Sequence, residues 1–114
     1  MNHETIKLSF QSLWMLAVLL ACAVQVVEAN PMGGTVVAGQ ANLAASGNIL
    51  TVTNTPGTII NWGSFSIAQN EITNFVQQSA SSAVLNRVVG NDPSNILGTL
   101  QSNGQVFLSR IAMQ

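Results

Sequence analysis

The chain has 114 residues, of which 47% are hydrophobic and 6% charged, and its formal net charge is −1. That length holds one small domain at most, and so few cations exclude a basic nucleic-acid-binding face. One Cys and one His leave almost nothing for thiol or metal chemistry. From the N-terminus, residues 1–12 carry Glu4 and Lys7, and Leu13 to Val24 form an unbroken apolar run. Val26-Val27-Glu28-Ala29 then supplies an A-x-A-like cleavage site before Asn30. This order predicts a secretory signal over 1–29, cut between Ala29 and Asn30, and passage through the Sec translocon. A membrane-spanning helix needs roughly 18 or more apolar residues, and Gln25 and Glu28 interrupt too soon; an uncleaved anchor or a buried helix is the alternative. Leu19-Leu20-Ala21-Cys22 has the outline of a bacterial lipobox. Leu20 fits it poorly and Ala23 to Val27 stay apolar, so Cys22 reads as a small residue of the apolar run. A cut after Ala29 leaves a mature chain without Cys or disulfide.

From Asn30 onward the charged side chains are Glu71, Arg87, Asp92 and Arg110. Asn30-Pro31-Met32-Gly33-Gly34 is a breaker cluster. Thr35 to Ala38 is predicted as a strand, Ala41 to Leu43 as a weaker one, and Ile49 to Thr53 as another after a Ser46-Gly47-Asn48 turn. Asn54-Thr55-Pro56-Gly57 is a strong turn, with Pro presetting φ and Gly accepting positive φ. Strands are predicted at Thr58 to Trp62, Phe65 to Ile67 and Ile72 to Val76, with a break at Gln69-Asn70. Gln77 to Ser82 is polar and small, and Ala83 to Val89 is a β-branched-rich strand. Gly90 to Ser94 is a turn. Pattern alone leaves Ile96 to Leu100 open between helix and strand. Ser102-Asn103-Gly104 is a turn and Gln105 to Ser109 a final strand.

Short strands with tight turns fit a sandwich, a barrel or a solenoid. Three features favour the solenoid. The mature part holds eleven Asn, a residue that forms side-chain ladders between stacked turns. Val84-Leu85-Asn86-Arg87 and Val106-Phe107-Leu108-Ser109-Arg110 share a rhythm about one coil apart, for coils of roughly 20 residues. The polar residues are uncharged, which avoids like charges stacked on one another. The competing reading of Asn/Gln richness is a disordered, prion-like segment; the alternating Val, Ile and Leu argue against it.

Gly33-Gly34-Thr35-Val36-Val37-Ala38-Gly39, Ile60-Asn61-Trp62-x-x-Phe65-x-Ile67, Glu71-x-x-x-Phe75, Leu85-Asn86-Arg87-Val88-x-Gly90, Pro93-Ser94-x-Ile96-x-Gly98-x-Leu100 and Asn103-Gly104-Gln105-Val106-Phe107-Leu108 follow one another in order. Together they resemble the two-partner secretion domain, the N-terminal haemagglutination-activity domain of filamentous-haemagglutinin-like exoproteins of Gram-negative bacteria. The resemblance covers residues 30–108. It implies an all-β, right-handed parallel β-helix with N-terminal capping strands. It also implies a secretion signal read by the periplasmic domains of an outer-membrane transporter, with folding outside the cell and a following passenger that is an adhesin, haemolysin or toxin. In the family the last strand runs into an Asn-Pro-Asn-Gly-type turn. Here Ser109 to Gln114 stands instead, a divergent tail that reads as the mark of a truncated or frame-disrupted member.

The family-motif residues Asn61, Trp62, Phe65, Glu71, Phe75, Asn86, Arg87, Gly98, Asn103 and Gly104 are candidates for structure or for transporter recognition. Trp62 and Phe65, at strand spacing beside Ile60 and Ile67, read as core. Glu71 and Arg87 either pair, contact a transporter, or cap and stay solvated. Asn86 is expected to satisfy backbone groups at a coil corner, and Gly90, Gly98 and Gly104 to serve turns or tight packing. Two carboxylates with no His, Cys or Lys cannot assemble a Ser–His–Asp triad, an acid cluster or a metal site. No enzymatic activity, cofactor, nucleic-acid partner or small-molecule substrate is therefore expected. The alternative function is a self-assembling adhesive or amyloid-like surface protein, because Asn/Gln-rich strands with open ends can stack.

Overall fold

Alternation of apolar and polar residues every second position commits this chain to strands with one buried face. The computed structural model describes residues 30–110, in which every named element is a strand: β1 (Thr35–Ala38), β2 (Ala41–Ser46), β3 (Ile49–Asn54), β4 (Thr58–Trp62), β5 (Ile72–Val76), β6 (Ala83–Val88), β7 (Thr99–Ser102) and β8 (Gln105–Arg110). They form two four-stranded sheets in the orders β1-β4-β6-β8 and β2-β3-β5-β7. Within each sheet the last three strands are parallel and the first is antiparallel to its neighbour. The result is a parallel β-helix whose coils are closed at one end by an antiparallel cap, β1 and β2. The signal region 1–29, with Ala29 and Cys22, and residues 111–114 lie outside the described residues.

Each coil has three sides. β3 leads through the Thr55-Pro56-Gly57 turn into β4. Gly57 holds φ at 76° there, where a side chain at Cβ would be strained, and its N–H bonds to the Ala83 carbonyl of the next coil at 2.9 Å. Phe65 to Ile67 form the third side, and the chain then re-enters the β2-β3-β5-β7 sheet as β5. In-register partners are separated by 23 residues at Ile49 and Ile72, 27 at Ile72 and Thr99, 26 at Thr58 and Val84, and 22 at Ala83 and Gln105. The coils are thus longer than the expected 20 residues, because the third side and its connecting loops add length that strand counting does not see.

One local expectation is corrected and one open choice is resolved. Phe65 to Ile67 is no regular strand: only Ile67 bridges in parallel to Ile96. The Asp92 carboxylate takes the place of ladder bonding there, accepting from Phe65 N–H at 3.0 Å and from Ser66 Oγ at 2.8 Å. Ile96 to Leu100, left open in the sequence, divides into that bridge and the start of β7. β8 continues through Ser109 and Arg110, opposite Arg87 and Val88.

The core lies between the sheets. Leu50, Val52, Ile60, Trp62, Phe65, Phe75, Val84 and Val88 are buried together, with Val36, Ala41 and Val106 packed against them. β4 and β6 alternate strictly between buried and half-buried positions, as a pleated strand with one inward face must. Each such side chain contributes about 1.5–3 kcal/mol on burial, and the middle coils carry most of them.

Candidate functional site

The motif residues do not converge on one surface. Trp62, Phe65 and Phe75 are fully or almost fully buried. Trp62 meets Phe65 edge-on at a centroid distance of 5.7 Å, and Phe65 stacks with Phe75 at 6.5 Å. This aromatic series ties β4, the third side and β5, so one coil is locked to the next through side chains that never reach solvent.

Asn86 is where the structure departs from the coil-corner expectation. It lies within β6, in an inward-facing position, and is fully buried. Its Oδ1 accepts from the Trp62 indole at 2.8 Å, and its Nδ2 donates to the Phe107 carbonyl at 3.3 Å. A buried indole N–H requires an acceptor, and Asn86 supplies it from one coil above. The residue therefore connects three successive coils through β4, β6 and β8.

Glu71 and Gly98 meet on the third side. The Glu71 carboxylate accepts from Ala68 N–H at 2.9 Å, and its main-chain carbonyl accepts from Thr99 N–H at 2.9 Å. Gly98 passes so close that an added Cβ would stand 2.3 Å from the Ala68 carbonyl oxygen and 2.4 Å from that of Glu71. Only a residue without a side chain lets β7 approach β5 there. Arg87 does not engage Glu71; its Nε donates to Asn61 Oδ1 of the coil below at 2.9 Å.

The opposite corner, between the two sheets, carries a polar ladder. Asn54 Nδ2 donates to Gln77 Oε1 at 3.1 Å, and Gln77 Nε2 donates to Ser102 Oγ at 3.1 Å and to the Gln105 carbonyl at 2.9 Å. Asn103 completes it as a two-point clamp: its Oδ1 accepts Gln77 N–H at 2.7 Å and its Nδ2 donates to the Gln77 carbonyl at 2.8 Å. Gly104 follows in the turn, its N–H bonded to Ser102 Oγ at 3.0 Å. The ladder is mixed, Asn over Gln over Ser and Asn, rather than the stack of identical Asn expected. Coils of unequal length bring different residue types into one column.

Two features face outward. Ile59, Leu85 and Phe107 stand in register on β4, β6 and β8, a ridge ending in a Phe107 that is 53% exposed. Beside it runs the Asn61, Arg87 and Ser109 column. A groove of about 340 Å³ lies at the other sheet, lined by Gln40, Asn42, Thr53, Thr55 and Gln78 among others, without a charged group. Among the described residues no three His, Cys, Asp or Glu side chains gather in a way that could hold a metal.

A cap on one end, stacked parallel coils and the motif residues spent on their stacking define the architecture, and comparison with known proteins gives it a family. The profile of the TPS secretion domain matches residues 27–109. The chain belongs to the TPS secretion domain family. It is 39% identical over 104 residues to a heme/hemopexin-binding protein of Haemophilus influenzae, covering 90% of this chain and 12% of that protein. A second heme/hemopexin-binding protein of Haemophilus influenzae is 40% identical over 50 residues, covering 44% of this chain and 5% of the relative. The crystal structure of the HMW1 secretion domain from Haemophilus influenzae superposes with a TM-score of 0.68 at 46% identity, covering 69% of this chain and 21% of that one. The chain therefore spans a small fraction of the length of the relatives it matches, and the family is one of secretion domains rather than of enzymes.

The motifs did not single out Asn54, Gln77 and Asp92, which organise two of the three corners. Their signal in the sequence is slight: a polar residue closing a strand, and an Asp before Pro.

Proposed function

We propose that residues 30–110 act as the secretion signal of a larger exported protein of a Gram-negative bacterium. The Sec translocon takes the chain across the inner membrane under the 1–29 signal, which is cleaved between Ala29 and Asn30. The periplasmic domains of an outer-membrane two-partner secretion transporter then recognise this segment, and the passenger follows it to the cell surface or the medium. Membership of a secretion-domain family carries this reading. The free strand edges support it: β1 and β2 are uncharged and end their sheets, and such edges accept a strand of another protein by main-chain pairing. The segment serves recognition and performs no catalysis.

Fusing a reporter after Arg110 and co-expressing the fusion with a cognate transporter tests the proposal. Reporter should reach the medium only when the transporter is present, and deletion of 35–46 should retain it in the periplasm. Export that is indifferent to the transporter would overturn it. The self-assembly reading draws on one specific observation, the half-exposed Leu100 and Leu108 on β7 and β8, whose outer edges have no strand partner among the described residues. Fibres by electron microscopy together with transporter-independent surface display would favour it.

A further inference from the structure

Asn103–Gly104 is the single Asn–Gly step in the chain. Every other Asn is followed by a residue with a side chain, which shields the next main-chain nitrogen. Glycine leaves that nitrogen open. In a flexible chain the Gly104 nitrogen attacks the Asn103 side-chain carbonyl carbon. The carbon–nitrogen bond of the side-chain amide breaks, and ammonia departs carrying the proton given up by the main-chain nitrogen. The cyclic imide then takes up one water and opens to aspartate or isoaspartate.

The fold restrains both reacting groups. The Asn103 amide is held on the main chain of Gln77 by bonds of 2.7 and 2.8 Å, and the Gly104 N–H is held on Ser102 Oγ at 3.0 Å. All three bonds must open before nitrogen meets carbon. The aspartate product cannot restore the bond that Nδ2 donates. Where Nδ2 donated to the Gln77 carbonyl, a carboxylate oxygen would face another acceptor. Isoaspartate also lengthens the main chain within a two-residue turn.

We infer that Asn103 is a deamidation site that folding protects, and that its modification in the unfolded chain removes the clamp by which β7 and β8 dock on the coil below. The chain carries a chemical limit on how long it can wait before folding. This goes beyond the secretion role and does not depend on it.

Incubating the full chain at mildly alkaline pH, folded in buffer and unfolded in guanidinium, tests this by peptide mapping with mass spectrometry. Deamidation at Asn103 should be at least about tenfold faster in the unfolded chain, because modification of the folded form is restricted to its open fraction. Ser102→Ala should raise the folded rate and leave the unfolded rate unchanged. Asn103→Asp, refolded, should lose amide-exchange protection across 99–110 and keep it in β3 to β6. Equal rates in the folded and unfolded chain, or wild-type protection of β7 and β8 in the Asp variant, would overturn the inference. If the Asp variant fails to refold at all, the wild-type rate comparison still decides.

Discussion

The two ends of this β-helix solve the same problem differently. At the cap, β1 and β2 run antiparallel to their neighbours, so the coil progression stops there. Thr58 Oγ, bonded to the Thr55 carbonyl at 2.7 Å and to the Gln40 carbonyl at 3.2 Å, pins the cap to the first coil. At the other end, Leu100 and Leu108 occupy the inward columns above Thr73 and Asn86, yet they are 36% and 39% exposed. Their counterparts one coil below are fully buried. Burial in a solenoid is a property of having a coil on both sides, so one inward register position can be core in one coil and surface in the next. The cap removes that requirement at one end, and nothing among the described residues removes it at the other.

That contrast yields a ranked set of predictions. Trp62→Ala should be the most damaging change, about 3–5 kcal/mol. It empties the core between cap and middle coils and strips Asn86 Oδ1 of its donor, and a urea titration should show the midpoint collapse. Gly98→Ala comes next, at about 1–3 kcal/mol from overpacking against two carbonyls. Amide exchange should show it as faster opening of β7 with β3 and β4 unchanged; uniform loss across all strands would argue against an end-specific role. Gln77→Ala should cost about 1–3 kcal/mol, because it unpairs Asn54, Ser102 and the Gln105 carbonyl together. A smaller loss in the double variant with Asn103→Ala than the two single losses combined would reveal the shared ladder. Leu108→Ser should be nearly silent, within about 0.5–1 kcal/mol in thermal unfolding. A large effect there would mean that the open end is already covered in solution.

Much of the architecture was legible in the residues, for physical reasons. β4 and β5 appear with the bounds expected because Thr58 to Trp62 and Ile72 to Val76 alternate cleanly between breakers. Val84 and Val106 were paired in rhythm before they were paired in space. The resemblance supplied the N-terminal capping strands, and only the structure shows that they run antiparallel, since strand direction is a long-range fact that no local pattern records. Asn86 could not be placed from its type, because an amide is at home both at a turn and beneath an indole that needs an acceptor. Asp92 and Gln77 escaped notice for a related reason: their partners lie more than twenty residues away, in another coil, at spacings that unequal loops make irregular. The motif residues emerged as those that make coils stack. The surfaces left for a partner are the free edges and the Ile59–Leu85–Phe107 ridge.

The unequal but bounded spacing between stacked strands has a kinetic meaning. Each new strand reaches back only 22 to 27 residues to find its template, and the entropy of closing such a loop depends only on the logarithm of its length. The search made by the third coil is therefore no harder than that made by the second, and any further coil stacked in the same way would find its template as easily. A chain built this way can be assembled progressively from its capped end, at a pace set by the next coil and not by the size of the whole.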